Sequence, residues 1–390
     1  MLALLPLTLL SAGLILDGSV RGEVRDGATV GGQDPRAGAL ALELNGRTSG
    51  PDTALLFGVL PSAVLAQDNQ LFARGYLELD VRIGHTGALR LRERGGYGTV
   101  DLSPVGLAAA IPPGTPLPPV QAPPARRFVS VQESNTAVEL EMMATRRLRV
   151  LGSAAWNVSG GVDSEASQTL PLSRGPQAHA LVEWAATRLD TLRAEGAASD
   201  TRYANGQRVT IGTLTGGWRT LLSRFTDLSL ALGAGVGRAS TSSAATSATS
   251  PRARTLPYAV GSADLRLTGL RSFGAGLGGA VEPVGDALTG DLVERGTVRA
   301  SASWGAPGRV ALNARLAGSI AVTSGNLGAQ GTQAGDKFAQ GELSLSLPVT
   351  RRSSLDIGAR GSWLSRPLQN QPARQWIAFL GYSAQLPLLR

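Results

Sequence analysis

VALNARLAGSIAV, residues 310–322, decides the fold class. Val310, Leu312, Ala314, Leu316, Gly318, Ile320 and Val322 fall on one parity. Ala311, Asn313, Arg315, Ala317, Ser319 and Ala321 fall on the other. A helix would spread these residues around its axis, whereas a strand gives one apolar and one polar face. The same period of two recurs as Leu77/Leu79/Val81/Ile83 against Glu78/Asp80/Arg82. It returns in Leu228/Leu230/Leu232 against Ser229/Ala231/Gly233, in Leu343/Leu345/Leu347/Val349 and in Leu355/Ile357/Ala359. A soluble sandwich hides its apolar face between two sheets, while a membrane barrel turns that face to lipid and the polar one to its lumen.

Connection lengths separate the two. About eighteen strands are expected, beginning near residues 19, 38, 53, 70, 87, 127, 147, 177, 190, 206, 226, 255, 271, 292, 308, 337, 353 and 374. Short gaps at Gly84–Thr86, Thr145–Arg146, Arg188–Leu189, Ser223–Phe225, Gly305–Pro307 and Arg351–Arg352 alternate with long ones. Short periplasmic turns opposite long extracellular loops are the layout of an outer-membrane barrel. The expectation is therefore an all-β, transmembrane, antiparallel up-and-down β-barrel over residues 17–390, with long extracellular loops near 100–126, 160–176, 240–254 and 324–336. The proline-rich IPPGTPLPPVQAPP (111–124) and the polar STSSAATSATS (240–250) fall in those loops, and the strand pattern continues on both sides, so one domain is expected. Residues 1–16 read as a signal peptide. The run LALLPLTLLSAGLIL is too short for a spanning helix, which needs about 20 apolar residues, and Ser11-Ala12-Gly13 supplies the small residues of a cleavage region, although a basic start is missing.

Several turns share a grammar: Ala144-Thr-Arg-Arg-Leu-Arg-Val150, Ala186-Thr-Arg-Leu-Asp-Thr-Leu-Arg193, Leu222-Ser-Arg-Phe-Thr-Asp-Leu-Ser-Leu230 and Val349-Thr-Arg-Arg-Ser-Ser-Leu-Asp-Ile357. Each ends a strand, turns through polar residues with arginine and restarts the alternation. In this the chain resembles bacterial outer-membrane β-barrels over roughly residues 19 to 390. Its end, Leu388-Leu389-Arg390, departs from the aromatic terminus usual in that class. The strand number, with LELDVRIGHTGALRLRERGGYG (77–98) and GVDSEASQTLPLSRGP (161–176), is similar to the eighteen-stranded exopolysaccharide-export barrels of myxobacteria and relatives. The resemblance implies secretion of a polysaccharide, with a periplasmic polysaccharide-export protein as partner.

The aromatic residues fit two interfacial girdles. Trp156, Trp363 and Trp376 fall near long-loop ends and Trp184 and Trp304 near short-turn ends, all on the apolar parity. On the polar parity, Arg74, Tyr76, Arg82, Arg90, Arg92, Arg94, Arg149, Arg208, Arg266, Arg299, Arg315 and Arg360 are expected to line the lumen, among Glu78, Asp80, Glu139, Glu141 and Glu183. Arginine carries a fixed charge and a planar donor fork suited to carboxylate and phosphate, so such a lining favours anionic solutes; paired with the acids across strands, it merely fills the lumen. Tyr76 and Tyr258 are candidates for stacking on sugar rings.

Composition excludes most chemistry. The chain has 390 residues, Cys 0, His 2, 37 basic and 29 acidic residues, and Lys337 is its only lysine. Thiolate chemistry, disulfides, a multi-histidine metal site and a phosphate loop are therefore ruled out. Gly233-Ala-Gly235-Val-Gly237 and Gly274-Ala-Gly276-Leu-Gly278 lie within strands, where small residues ease curvature and packing. The arginines are interleaved with acids and accompany no recognition motif, so nucleic acid is not a partner. The expected protein is a conduit in the cell outer membrane, in contact with outer-membrane lipid and lipopolysaccharide, without cofactor or enzymatic activity. A porin for small anionic solutes and an exported soluble all-β binding protein are the alternatives. A lipid-modifying barrel enzyme would need a histidine paired with a serine on the lipid face.

Overall fold

The computed structural model describes residues 15–28, 37–65, 70–101, 128–241, 253–268, 272–285, 292–305, 309–324, 337–350, 352–365 and 373–387. The strands are β1 Ile15–Ala28, β2 Ala37–Ser49, β3 Thr53–Leu65, β4 Gln70–Ile83, β5 Gly87–Asp101, β6 Phe128–Met143, β7 Leu148–Gly161, β8 Ser173–Ala185 and β9 Asp190–Tyr203. They continue as β10 Gln207–Ser223, β11 Thr226–Thr241, β12 Ala253–Leu267, β13 Phe273–Gly285, β14 Leu292–Trp304, β15 Ala311–Ser324, β16 Lys337–Thr350, β17 Ser353–Ser365 and β18 Ala373–Pro387. One short helix, α1 Ser164–Thr169, lies between β7 and β8.

Each strand pairs antiparallel with its sequence neighbour, and β1 pairs with β18, so the eighteen-stranded sheet closes on itself. Closure gives every strand a neighbour on both sides, which is what a sheet surrounded by hydrocarbon requires. Among the described residues no helix is long and apolar enough to cross a membrane. The connections at one end are short, such as 84–86, 224–225 and 351–352, and those at the other include 102–127, 162–172 and 325–336. By the layout of such barrels, the first end is periplasmic and the second extracellular. The residue at which each strand starts lies within a few positions of expectation. The expected loops at 100–126, 240–254 and 324–336 fall largely outside the described residues, as do residues 1–14 of the expected leader. Its last two residues, Ile15 and Leu16, pair in β1 with Pro387 and Leu386.

Directly paired residues share a face, so the registers carry one parity around the whole ring. One face carries Val20, Leu44, Leu77, Leu140, Val182, Leu214, Leu232, Val298, Leu316, Leu343 and Leu380, all exposed. The other carries most of the charged residues. There, side chains reach past an intervening strand at several of its glycines. Arg74 of β4 meets Glu133 of β6 at 2.6 Å over Gly96, and a Cβ on Gly96 would lie 2.7 Å from the Glu133 carboxylate. Tyr76 donates to Asn45 Oδ1 at 2.7 Å over Gly58, and Arg299 bonds Asp264 at 2.6 Å over Gly278. Side chains converge in this way only on a concave surface. The charged face is therefore the inner one, and the apolar face meets lipid.

Candidate conduit and its charged lining

The inner wall from β4 to β8 carries a continuous ladder of ion pairs. Arg90 meets Glu139 at 2.6 Å, Asp80 at 3.2 Å and Glu141 at 3.6 Å. Arg92 meets Glu78 at 3.3 Å and Glu139 at 3.5 Å. Arg149 bridges Glu141 at 2.8 Å and Glu183 at 2.6 Å. Across the barrel, Arg360 donates to Glu342 at 2.8 Å. The alternation of Arg on β5 and β7 with Glu on β6 and β8 produces this directly, because register partners on adjacent strands alternate in sign. Such pairs hold the lining in a fixed shape and contribute little net charge.

Several inner arginines stand outside the ladder, without a partner among the described residues. Arg82, Arg94, Arg266 and Arg315 are exposed and make no ion pair among the described residues. Arg82, Arg266 and Arg315 lie toward the short-turn ends of β4, β12 and β15. That mouth also carries exposed Arg146, Arg147, Arg188, Arg224 and Arg352 in or beside the turns. The periplasmic opening is thus basic.

Among the described residues, two inward elements narrow the extracellular end. Helix α1 packs on the inner wall of β6 and β7, with Ala166 against Val129 and Val131 and with Phe72 and Leu170 beside them. Asp163 caps it, accepting a hydrogen bond from the Ala166 amide at 2.6 Å. Gly161 leaves room for the helix, since a Cβ there would strike the Ala166 backbone. The second element is the extracellular end of the β13–β14 hairpin, here called its tip: Val284–Gly285 and Leu292–Val293. Leu292 and Val293 are 1% and 0% exposed. Leu292 sits among Tyr203, Val209, Ala239 and Tyr258, inner-face residues of β9 to β12. A register shift at Glu294/Arg295 turns the tip inward, and β13 leaves β12 beyond the Gly261–Val281 pair. Below the tip lies a cavity of about 400 Å³ bordered by His179, Arg193, Glu195, Thr213, Ser262 and Glu282. There His179 Nε2 lies 3.0 Å from Glu195 Oε1.

The registers place Arg74, Tyr76, Arg82, Arg90, Arg92, Arg94, Arg149, Arg266, Arg299, Arg315 and Arg360 on the inner face. Arg208 is a correction. It pairs directly with Arg202 and shares the outer face with Leu214 and Trp218. It sits at the extracellular end of β10, beyond the apolar band, where a polar residue need not turn inward. Trp156, Trp184, Trp304, Trp363 and Trp376 lie on the outer face, and Trp218, not singled out in the sequence, joins Trp184 and Trp304 toward the short-turn end. Tyr258 lies under the hairpin tip, away from any open sugar-binding surface. His179 faces inward, so the lipid-face pairing with serine that a barrel hydrolase requires is not formed by it.

The model of the EpsX exopolysaccharide export family matches residues 91–387. The chain belongs to that family. It is an outer-membrane β-barrel that serves as a conduit in exopolysaccharide export. No curated protein matches it. Among solved structures it is similar to Pseudomonas aeruginosa OccK2 (OpdF) in complex with glucuronate, at 12% identity and a TM-score of 0.49 over 96% of this chain and 98% of that chain. It is also similar to P. aeruginosa OpdK with vanillate, at 11% identity and a TM-score of 0.48 over 96% and 99%. A third is the siderophore receptor PiuA from Acinetobacter baumannii, at 10% identity and a TM-score of 0.47 over 95% and 82%.

Proposed function

We propose that the polymer crossing this barrel carries anionic groups and enters through the basic periplasmic mouth. The supporting observation is the set of exposed, unpaired Arg82, Arg266 and Arg315 at that mouth, ahead of a lining whose other arginines are mostly paired. Fixed guanidinium charges concentrate and orient carboxylate- or phosphate-bearing chains without needing a binding pocket for any one sugar. The barrel works without catalysis. It receives the polymer from a periplasmic polysaccharide-export protein docked at the short-turn end, and it is surrounded by outer-membrane lipid and lipopolysaccharide.

Deleting the gene is expected to abolish surface polysaccharide while leaving uptake of small anionic solutes unchanged. Lost uptake with normal polysaccharide would instead establish a solute porin. In planar bilayers, the R82Q/R266Q/R315Q variant is expected to lower the anion-to-cation permeability ratio at least about twofold, and more at low salt. R94Q alone acts in the same direction. R90Q removes the same single charge but also strips a partner from Glu139 and Asp80, so it loosens the ladder as well. An unchanged ratio in the triple variant would refute the assignment of these arginines to the conducting path.

A further inference from the structure

The outer face of the barrel carries arginines that the conduit does not use. On β8, β9 and β10 the registers set Arg174 directly opposite Arg202 and Arg202 directly opposite Arg208. Arg238 follows on β11, opposite Thr210. All four side chains are exposed. Like charges directly opposite one another on adjacent strands repel, so an uninterrupted row of three is an unfavourable arrangement by itself. One carboxylate offsets it. Asp200 accepts from Arg208 Nε at 2.6 Å and Nη2 at 2.8 Å, and from Thr210 at 2.9 Å, with Arg202 Nε at 3.9 Å. Arg174 and Arg238 have no ion pair among the described residues. The patch therefore keeps a positive excess, with the Arg202 and Arg208 side chains 65% and 50% exposed.

Its height on the barrel says what faces it. Along the outer face of β8, Arg174 is followed by Pro176, Ala178, Ala180, Val182 and Trp184. At about 3.3 Å per residue and a tilt near 45°, the climb from Trp184 to Arg174 is about 23 Å, close to the roughly 25 Å apolar band of such barrels. The outer face of β10 repeats the interval from Trp218 through Leu214 to Arg208, and β11 runs from Leu230 through Leu232 and Val236 to Arg238. Trp156 pairs with Pro176, one outward-facing position short of Arg174. The arginine row thus lies just beyond the aromatic level at the extracellular end, beside the headgroups of the outer leaflet.

We propose that Arg174, Arg202, Arg208 and Arg238 form a binding site for the phosphate groups of an outer-leaflet glycolipid. A phosphate accepts bidentate hydrogen bonds from guanidinium and relieves the repulsion within the row, and acyl chains continue down the apolar wall beneath it. The site rests on the barrel's place in the outer membrane and is independent of what passes through the lumen.

The test uses full-length protein purified in detergent and freed of lipid, with labelled lipopolysaccharide as probe. The R174Q/R202Q/R208Q variant is expected to bind at least tenfold more weakly than wild type, as is wild type offered the same glycolipid after removal of its phosphates. Inorganic phosphate at matched concentration is expected not to compete. R174Q/R202Q, which leaves the Arg208–Asp200 pair in place, decides the matter if the triple variant fails to show a heat-dependent shift on semi-native electrophoresis. Equal affinity of wild type and variant, or undiminished binding of the dephosphorylated glycolipid, overturns the site. Full competition by inorganic phosphate also overturns it, as a free-anion site. Absence of a heat shift in wild type itself would instead strike at the barrel.

Discussion

Replacing Leu292 and Val293 together by aspartate is expected to raise the single-channel conductance of the barrel at least about threefold and leave its heat-dependent electrophoretic shift intact. Both side chains are almost completely buried, Leu292 in a nest made by Tyr203, Val209, Ala239 and Tyr258 on the inner wall. Keeping two carboxylates buried side by side would cost several kcal/mol, because the mostly apolar nest offers phenolic hydroxyls at best and no cation. Releasing the tip forfeits only the local burial, about 1.5–3 kcal/mol for each apolar side chain, and leaves the ladders that close the barrel in place. The tip therefore leaves the lumen and the barrel stays folded. G237L should act in the same direction, since a side chain at Gly237 would meet Leu292. Unchanged conductance in both variants would show that the hairpin tip does not obstruct the path.

This expectation matters because barrels of 16–18 strands, left empty, hold an aqueous channel. A conduit wide enough for a polymer would leak small solutes whenever the polymer was absent. The charge ladder from β4 to β8 does not prevent that, because its side chains lie along the wall. Among the described residues, the elements that reach inward are α1 and the β13–β14 tip, both at the extracellular end. The basic mouth lies at the opposite end. Attraction at the periplasmic side and constriction at the extracellular side are the arrangement suited to outward passage of an anionic chain.

The strand frame was legible because two local signals coincide: the period of two and the arginine-bearing turns that reset it. Face assignment was legible for the middle of each strand, where lipid forces the apolar parity outward. The same rule misplaced Arg208. At the headgroup level the surroundings are polar, so polarity no longer reports which way a side chain points. The inward tip was hidden for a related reason. Leu292 and Val293 look like any strand opening, and only the register shift at Glu294/Arg295 redirects them. Helix α1 had a readable signal in Asp163 ahead of Ser164-Glu165-Ala166, a helix-capping pattern. The surrounding residues of the expected loop 160–176 outweigh that signal, because they carry no apolar periodicity. Contacts that skip a strand, such as Arg74 with Glu133, cannot be read from pairwise alternation at all. They depend on barrel curvature and on Gly96 lying between them.

G233V is expected to abolish the heat-modifiable form, whereas G216V on the adjacent strand is expected to keep it. The two glycines lie in the same β10–β11 ladder, one residue apart in register, where Thr215 pairs with Gly233 and Gly216 with Leu232. Gly233 faces inward, and a Cβ there would sit 2.7 Å from Thr215 Cα and closer still to the Leu214 carbonyl. Those are main-chain atoms of the neighbouring strand, so no side chain can swing away and the two strands must separate. Overpacking against a fixed neighbour costs about 3 kcal/mol or more, and here it acts in the middle of a ladder on which ring closure depends. Gly216 faces lipid with nothing within 4 Å of the position of a Cβ. Valine at that site relieves the entropic cost of a mid-strand glycine, about 0.5–1 kcal/mol, and adds an apolar, β-branched side chain to the lipid face. Semi-native electrophoresis of outer-membrane fractions with and without boiling reads both outcomes. A folded G233V barrel would mean that β10 and β11 do not approach as closely as described, and a misfolded G216V would mean that the outer face of β10 is not the lipid face.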